Sequence, residues 1–202
     1  MTRDMFGLTD GAAGRGRQAA RAAPLAGRDL YTTRQEDVGR FLDALERDGL
    51  ALRGPIWEPA AGLGDISKVL ARRGHEVLSS DAFPYSDGEV EVSGPTDFLA
   101  APLPPGCRTI LTNPPFNALE DFLLRALSHG TDVVFVARLG FLSSERRRRI
   151  FSRARPAFVY VFSKRAKCLK DGIEDGKASM VDYCVAMFRP PHEAETALRW
   201  IE

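Results

Sequence analysis

The stretch Ile-Trp-Glu-Pro-Ala-Ala-Gly-Leu-Gly-Asp, residues 56–65, joins the end of a short apolar strand to a glycine turn. Ile66, Val69 and Leu70 follow at helical spacing, so a helix is predicted directly after the turn. Glycine permits a tight turn and the close approach of a ligand because it has no Cβ atom. The glycines do not form G-x-G-x-x-G, which disfavours a dinucleotide site. The unit is therefore either a plain turn or the border of a different ligand site.

Strands and helices alternate along the rest of the chain. Strands are predicted at residues 56–57, 76–79, 89–93, 107–111, 132–137, 157–162 and 183–188. Further helices are predicted from a capping box at Thr33 and Glu36 to a stop at Gly49, over residues 119–127, and over residues 143–155. Because the strands are apolar throughout rather than alternating, they indicate an α/β protein with a parallel sheet covered on both faces.

Composition and length limit the class of protein. The 202 residues have a net charge of +1, so the whole-chain charge gives no nucleic-acid signature. We expect a single domain over residues 28–202, without a large separate target-recognition domain, after a flexible Gly/Ala/Arg-rich tail at residues 1–27. The chain has neither a membrane-spanning run nor a signal-peptide core, which predicts a cytoplasmic protein with no membrane partner. Its cysteines and histidines form no metal pattern.

Chemically apt residues follow several of the predicted strands. Gly62, Asp81, Asp97 and Asn113 all lie just beyond a strand end, where ligands of parallel sheets bind. A carboxylate after the second strand can accept both hydroxyls of a ribose, although an exposed loop aspartate or a helix cap is the alternative for Asp81. The acid Glu58 beside the glycine turn disfavours phosphate. A cationic nucleoside fits this edge better.

Residues 113–116, Asn-Pro-Pro-Phe, form a rigid turn after the strand at residues 107–111. Two prolines continue neither a helix nor a central strand. The side-chain carbonyl of Asn113 and the backbone carbonyl of Pro114 are hydrogen-bond acceptors, and Phe116 offers a flat stacking surface. The turn suits a planar group with an NH2, such as adenine, cytosine, guanine or a glutamine amide. Proline-rich turns without a ligand also follow strands, so the motif is not specific by itself.

Together these segments resemble the ordered motifs of S-adenosylmethionine-dependent amino-methyltransferases, and most nearly the phage- and prophage-type DNA adenine-N6 enzymes with gamma-like motif order. The matching segments are residues 30–33, residues 58–64, Asp81, Asp97, Phe98 and residues 113–116. The resemblance covers about residues 28–190. It implies a Rossmann-like class I methyltransferase fold with a mostly parallel seven-stranded sheet, an antiparallel last strand, and helices on both faces.

The resemblance also implies a cofactor and roles for single residues. The cofactor is S-adenosylmethionine, the product S-adenosylhomocysteine, and no metal is expected. The cofactor-binding residues would be Tyr31, Thr32, Glu58, Pro59, Ala60, Gly62, Gly64, Asp81 at the ribose, Asp97 and Phe98 at the adenine, and Asn113. The catalytic residues would be Asn113, Pro114, Pro115 and Phe116, the last stacking on the target base. Thr33 departs from the family's proline, and Cys168 and Leu169 stand where a further aromatic is usual.

Basic residues between positions 138 and 170 are the candidates for binding a nucleic-acid substrate, with DNA favoured. The residues assigned to the substrate, together with Phe116, are Arg138, Lys164, Arg165 and Lys167. The last three begin a polar loop over residues 163–176 that we expect to be mobile and near the active-site edge. The run at residues 146–149, four arginines on a helix, is either a solvated surface or a phosphate-contacting patch.

Three functions stay open at the level of the sequence. Methylation of adenine N6 in DNA is the favoured one. Methylation of an amino group in RNA or in a protein glutamine is the alternative, because Asn-Pro-Pro-Phe-like turns serve those substrates too. A non-catalytic module with the same fold is less favoured, because Asn113, Gly62 and Gly64 are all intact.

Overall fold

The computed structural model describes residues 30–83, 85, 89–174, 179–191 and 194–202. In chain order its elements are β1 (Tyr31–Thr33), α1 (Gln35–Arg47), β2 (Ile56–Glu58), α2 (Asp65–Arg72), β3 (Val77–Ser79), β4 (Thr109–Thr112), α3 (Leu119–Ser128), β5 (Asp132–Arg138), a 3-10 helix (Leu139–Leu142), α4 (Glu145–Phe151), β6 (Phe158–Phe162), β7 (Cys168–Lys170), β8 (Tyr183–Phe188) and β9 (Ala197–Ile201). The tail predicted at residues 1–27 and the last two residues of the predicted loop, 175 and 176, lie outside the described residues.

One mixed sheet of seven strands organises the protein, in the order β3-β2-β4-β5-β8-β6-β9. Strands β2 to β5 are mutually parallel, β8 runs antiparallel to both β5 and β6, and β9 is parallel to β6. The predicted mostly parallel seven-stranded sheet is confirmed, and the antiparallel strand is the predicted one, β8. It is not the last strand, because β9 follows it. The predicted strand at residues 89–93 is reduced to one bridge between Ser80 and Ser93.

The sheet divides the interior into two apolar cores. Successive side chains of a strand point to opposite faces, so Val134 and Val136 pack with α1 and α2, whereas Val133, Phe135 and Ala137 pack with α3 and α4. This arrangement explains why the central strands carry apolar residues on both faces. Both faces are covered by helices, as the sequence predicts.

Two helix predictions are corrected by the structure. Thr33 is the last residue of β1 rather than a helix cap, and α1 starts at Gln35 after Arg34, which makes no side-chain capping bond. The capping box was wrong because the strand pairing of Thr33 prevails over the local signal. The basic helix predicted over residues 143–155 is shorter, since α4 begins after Ser144, whose hydroxyl accepts a bond from Arg147 N at 3.2 Å.

A small antiparallel ribbon lies beside the main sheet and joins distant parts of the chain. In it β1 pairs with β7, and Thr33 is opposite Cys168. The ribbon places residues 31–33 next to the carboxyl ends of the central strands. Within the described ranges, no helix is both long and apolar enough to cross a membrane.

Candidate active site

A cleft of about 370 Å³ opens at the carboxyl ends of β2, β3 and β4, under the ribbon strand β1. Most of the residues singled out in the sequence line it: Tyr31, Thr32, Glu58, Pro59, Ala60, Gly62, Asp81, Asp97, Phe98, Asn113, Pro114, Pro115 and Phe116. Gly64, Arg138, Lys164, Arg165 and Lys167 are not among the lining residues. The size is within the range of small-ligand sites.

The amide of Asn113 is held in one orientation at the wall of the cleft. Its Nδ2 donates to the backbone oxygen of Tyr31 at 3.0 Å and also faces Cys168 Sγ at 3.6 Å. Its Oδ1 is buried and has no hydrogen-bond partner among the described residues. A flipped amide would set two oxygens against each other, so the bond to Tyr31 fixes which side of the amide carries the acceptor. A buried acceptor without a partner costs free energy unless a ligand supplies a donor.

The side chain of Phe116 lies between aromatic and cationic neighbours. Its ring centroid is 4.9 Å from that of Tyr31, with the planes tilted by 45°. The guanidinium carbon of Arg138 lies 4.1 Å from the centroid of the same ring, a cation–π contact. A base that stacks on the face covered by Arg138 would have to move that guanidinium. The structure thus brings Arg138 to Phe116, although Arg138 does not line the cleft.

The two glycines of the turn have backbone reasons for being glycine. Gly62 and Gly64 have φ angles of +55° and +75°, in the left-handed region that residues with a side chain rarely adopt. A Cβ on Gly62 would lie 2.9 Å from Leu30 Cδ1, and one on Gly64 would lie 2.3 Å from Val90 Cγ2. Gly62 lines the cleft, whereas Gly64 precedes α2 and packs against Val90. Gly64 is therefore needed for close packing against Val90 and not for the approach of a ligand.

Acidic side chains dominate the charge of the cleft. Glu58 is almost fully buried and accepts bonds from the Ser67 backbone N, at 2.9 Å, and from the Ser67 hydroxyl. Burial raises the pKa of Glu58 to about 8, partly opposed by the bonds from Ser67, while Asp65 and Asp81 raise it further. With Asp65 and Asp81 also lining the cleft, a cationic ligand would relieve this concentration of negative charge.

The two aspartates assigned to the cofactor differ in their surroundings. Asp81 is buried, and its two carboxylate oxygens each accept a 2.9 Å bond, one from Gly62 N and one from Phe83 N. It therefore ties the end of β3 to the glycine turn after β2. Asp97 is exposed, and its Oδ1 accepts from Leu99 N at 3.0 Å.

Phe98 is chiefly a core residue. It is 2% exposed, with ring centroids of Trp57 at 5.2 Å and Phe122 at 4.8 Å. Because these neighbours belong to the core under α3, only a small part of the ring reaches the cleft. The aromatic wall that the sequence assigns to the cofactor adenine is therefore mostly occupied by protein contacts.

The basic residues predicted to bind the substrate from the loop are engaged elsewhere. Arg165 pairs with Asp182 at 3.0 Å, and Lys167 pairs with Glu174. Lys164 is exposed. The structure does not bring these three side chains to the cleft, and their contact with a substrate stays a prediction.

Sequence reasoning did not identify two features of the site. Asp65 lines the cleft and accepts from Gln35 Nε2 at 2.8 Å, but as the first residue of α2 it resembles an ordinary helix-start acid. Cys168 lies behind Asn113, and burial raises the pKa of its thiol to about 11, so it stays protonated at neutral pH. The resemblance placed Cys168 where a further aromatic for the target base is usual, but its contact with Asn113 depends on the pairing of β1 with β7, for which the local sequence has no signal.

Comparison with solved structures identifies the architecture. A putative RNA methyltransferase from Pyrococcus horikoshii has a TM-score of 0.53 at 15% identity, covering 76% of this chain and 84% of its own. A putative class I S-adenosylmethionine-dependent methyltransferase from Listeria monocytogenes has a TM-score of 0.51 at 10% identity, covering 82% and 65%. This is the class I methyltransferase fold. The predicted fold class is confirmed.

A third structure, the methyltransferase subunit of a type I restriction-modification system from Streptococcus thermophilus, has a TM-score of 0.48 at 10% identity. The match covers 68% of this chain and 39% of that subunit, so the chain spans well under half of its length. No protein-family model matches this chain, and no curated protein is significantly similar to it. At these identities the likeness extends to the fold alone.

Proposed function

We propose that this protein transfers a methyl group from S-adenosylmethionine to the exocyclic N6 amine of adenine in DNA. The observation that supports the proposal most strongly is the buried, unpartnered Oδ1 of Asn113 in the cleft wall. An acceptor fixed in this way suits a ligand that brings an N–H donor. The sequence resemblance indicates the class of reaction, and the cleft offers a hydrogen-bond acceptor and acidic side chains that suit that reaction.

The fit of the cofactor rests on the charge and shape of the cleft. S-adenosylmethionine carries a positive sulfur, and the acids Glu58, Asp65 and Asp81 all line the cleft. Tyr31, Thr32 and the turn at Gly62 would hold its methionine end, and Asp81 its ribose. Burial raises the pKa of Glu58 to about 8, and a cation bound nearby would lower that pKa and favour the ionised carboxylate. When bound, the cofactor would supply a methyl group activated by the sulfonium.

The protein's part in the reaction is to orient the amine and stabilise its developing charge. An exocyclic amine is a weak nucleophile because its lone pair is delocalised into the ring. Asn113 Oδ1 and the Pro114 carbonyl would each accept one amine hydrogen, which favours the pyramidal nitrogen and stabilises positive charge on it. No hydrogen bond from another described residue ends on the Pro114 carbonyl. Holding the reactants together could contribute roughly 7–11 kcal/mol to lowering the barrier.

The target base would enter beside Phe116 after leaving its stack. Base flipping costs a few kcal/mol in a duplex and less in a single strand. Stacking against an aromatic ring offsets part of that cost. The rigid Pro114-Pro115 turn keeps Phe116 and Asn113 in a constant relation, so stacking and amine binding would occur together.

Parallel methyl-transfer assays test the proposal. Purified protein with tritiated S-adenosylmethionine should label DNA in preference to RNA and to protein. Label found only in RNA or in protein would refute the DNA substrate while leaving amino-methylation in place. Absence of label from every substrate, in protein that binds the cofactor, would favour a non-catalytic module.

A further inference from the structure

A second groove of about 470 Å³ lies on the other side of Phe116 from the cleft. Phe116, Asn117 and Ala118 line both spaces, so the two are separated by little more than one turn of chain. We call the second space the Phe116 groove. The side chains that matter for its chemistry are Phe116, Glu120, Asp121, Arg138, Arg146 and Arg147.

The ionisable side chains of the Phe116 groove favour an anion. Three arginines face two acids, so the formal charge of the lining is +1. Arg138 forms no ion pair within the described ranges, and its guanidinium carbon lies 4.1 Å from the centroid of the Phe116 ring. It is exposed at the end of β5, on the border between the groove and the cleft. A guanidinium has five N–H donors, so Arg138 can interact with the side chain of Tyr183 and still bind a phosphate with two of the others.

The other two arginines share one carboxylate. Arg146 Nε lies 2.7 Å from Glu120 Oε2, and Arg147 Nε lies 3.3 Å from Glu120 Oε1. Arg147 also donates to the backbone oxygens of Gly140 and Phe141, at 3.1 Å and 2.8 Å, which anchors it. Glu120 thus holds two cations in place and competes with any anion that enters. Arg146 is the more exposed, with 64% of its side chain accessible.

We propose that the Phe116 groove binds the phosphodiester backbone of the polynucleotide strand next to the nucleotide that enters the cleft. The inference rests on the proposed function only in taking a polynucleotide as the substrate. A polynucleotide strand with one base in the cleft must continue past the rim of the cleft. The Phe116 groove begins at that rim, because residues 116–118 line both spaces. Arg138 would contact the nearest phosphate, and Arg146 would turn from Glu120 to the next.

Salt-dependent binding tests this inference without requiring methyl transfer. Fluorescence anisotropy of a labelled single-stranded oligodeoxythymidine over a potassium chloride series gives the slope of log affinity against log salt. Arg138→Gln and Arg146→Gln should each flatten the slope by about 0.7, the value for one phosphate contact on a single strand. Arg108→Gln is the matched control, because exposed Arg108 precedes β4 at the opposite edge of the sheet from Asn113. It should keep the wild-type slope.

Removing the competing carboxylate gives an effect of opposite sign. Glu120→Gln should tighten binding and steepen the slope, because Arg146 and Arg147 lose their internal partner. Glu145→Gln is its control, since Glu145 pairs with Arg149 and does not line the groove. Unchanged slopes for both arginine variants, or a Glu120 variant that binds no better than the Glu145 variant, would overturn the inference. Because Arg146 is largely exposed, its variant stays informative even if Arg138→Gln disturbs Phe116.

The outcomes separate this inference from the proposed function. Oligodeoxythymidine has no adenine, and phosphate contacts carry no direct sequence information, so the slopes are expected to change with it as well. Normal methyl transfer to DNA with unchanged salt slopes would refute phosphate binding in the Phe116 groove, while the proposed function would stand. Flattened salt slopes for the arginine variants without any methyl transfer to DNA would refute the proposed function, while phosphate binding in the Phe116 groove would stand. Inorganic phosphate added at constant ionic strength should displace little of the labelled oligonucleotide, because one phosphate replaces only one of several contacts.

Discussion

Replacing Asn113 with alanine should abolish most methyl transfer while cofactor affinity stays near that of the wild type. Although Asn113 is also counted among the cofactor contacts, we assign its Oδ1 to the target amine, because that atom has no partner among the described residues while Nδ2 is bonded to the Tyr31 backbone. Loss of one preorganised contact to a developing charge costs about 10²–10³ in rate, or about 3–4 kcal/mol. Loss of the Nδ2 bond costs the fold only about 1 kcal/mol. The expected fall in melting temperature is therefore about 2–4 °C.

Thr112 offers a matched control for this variant. Its Oγ1 is also buried without a hydrogen-bond partner among the described residues, but Thr112 does not line the cleft. Thr112→Val removes that hydroxyl at nearly constant volume, so it should leave activity unchanged and stability equal or higher. The contrast distinguishes a role in the reaction from a general sensitivity of buried polar groups at the end of β4.

Single-turnover methylation of DNA, calorimetry with S-adenosylmethionine and thermal unfolding measure the three quantities. A rate for Asn113→Ala within a few-fold of the wild type would refute the assignment of Oδ1 to the target amine. Equal losses of rate in the Asn113 and Thr112 variants would do the same, because the second residue has no access to the cleft.

Three further predictions concern the cofactor side of the cleft and its turn. Asp81→Ala should weaken S-adenosylmethionine binding by roughly 1–3 kcal/mol, since Gly62 N loses its acceptor as well as the ribose contact; calorimetry that shows unchanged affinity would remove Asp81 from the site. Burial raises the pKa of folded Glu58 above its unfolded value, so its contribution to stability is full below about pH 4.5 and is lost as the pH rises to about 8. Urea unfolding from pH 5 to 8 should therefore show a smaller decline for Glu58→Gln than for the wild type, and parallel curves would contradict the burial argument. Gly64→Ala should destabilise the protein more than Gly106→Ala in thermal unfolding, because both have positive φ but only Gly64 meets another side chain, Val90, at 2.3 Å; equal losses would mean that strain alone matters.

Local signals were sufficient for the parts of the site that follow single strands. The glycine turn, Asp81 and Asn113 each follow within a few residues of a predicted strand, and the parallel sheet brings the ends of such strands to one edge. Strand directions and the two cores also follow from the sequence, because side chains such as Val133 and Val134 are apolar on both faces. The antiparallel direction of β8 came from the resemblance and was correct.

Most features of the fold and the site that could not be predicted from the sequence depend on pairings between distant residues. Thr33 looks like a helix cap, but its backbone pairs with Cys168, 135 positions later, and no local pattern encodes that partner. The same ribbon fixes the amide of Asn113 through Tyr31, so the orientation of the candidate catalytic group was also hidden. The resemblance assigned Phe98 to the cofactor adenine, but it could not show that packing against Trp57 and Phe122 buries most of the ring in the core.

Nucleoside mass spectrometry of DNA after incubation with the protein and S-adenosylmethionine tests the central claim most directly. The account predicts N6-methyladenine with wild-type protein, and little or none with Asn113→Ala under conditions where the variant still binds the cofactor. N4-methylcytosine in place of N6-methyladenine, or methylation confined to RNA or protein, would contradict the proposed substrate. N6-methyladenine formed equally well by the Asn113 variant would contradict the mechanism.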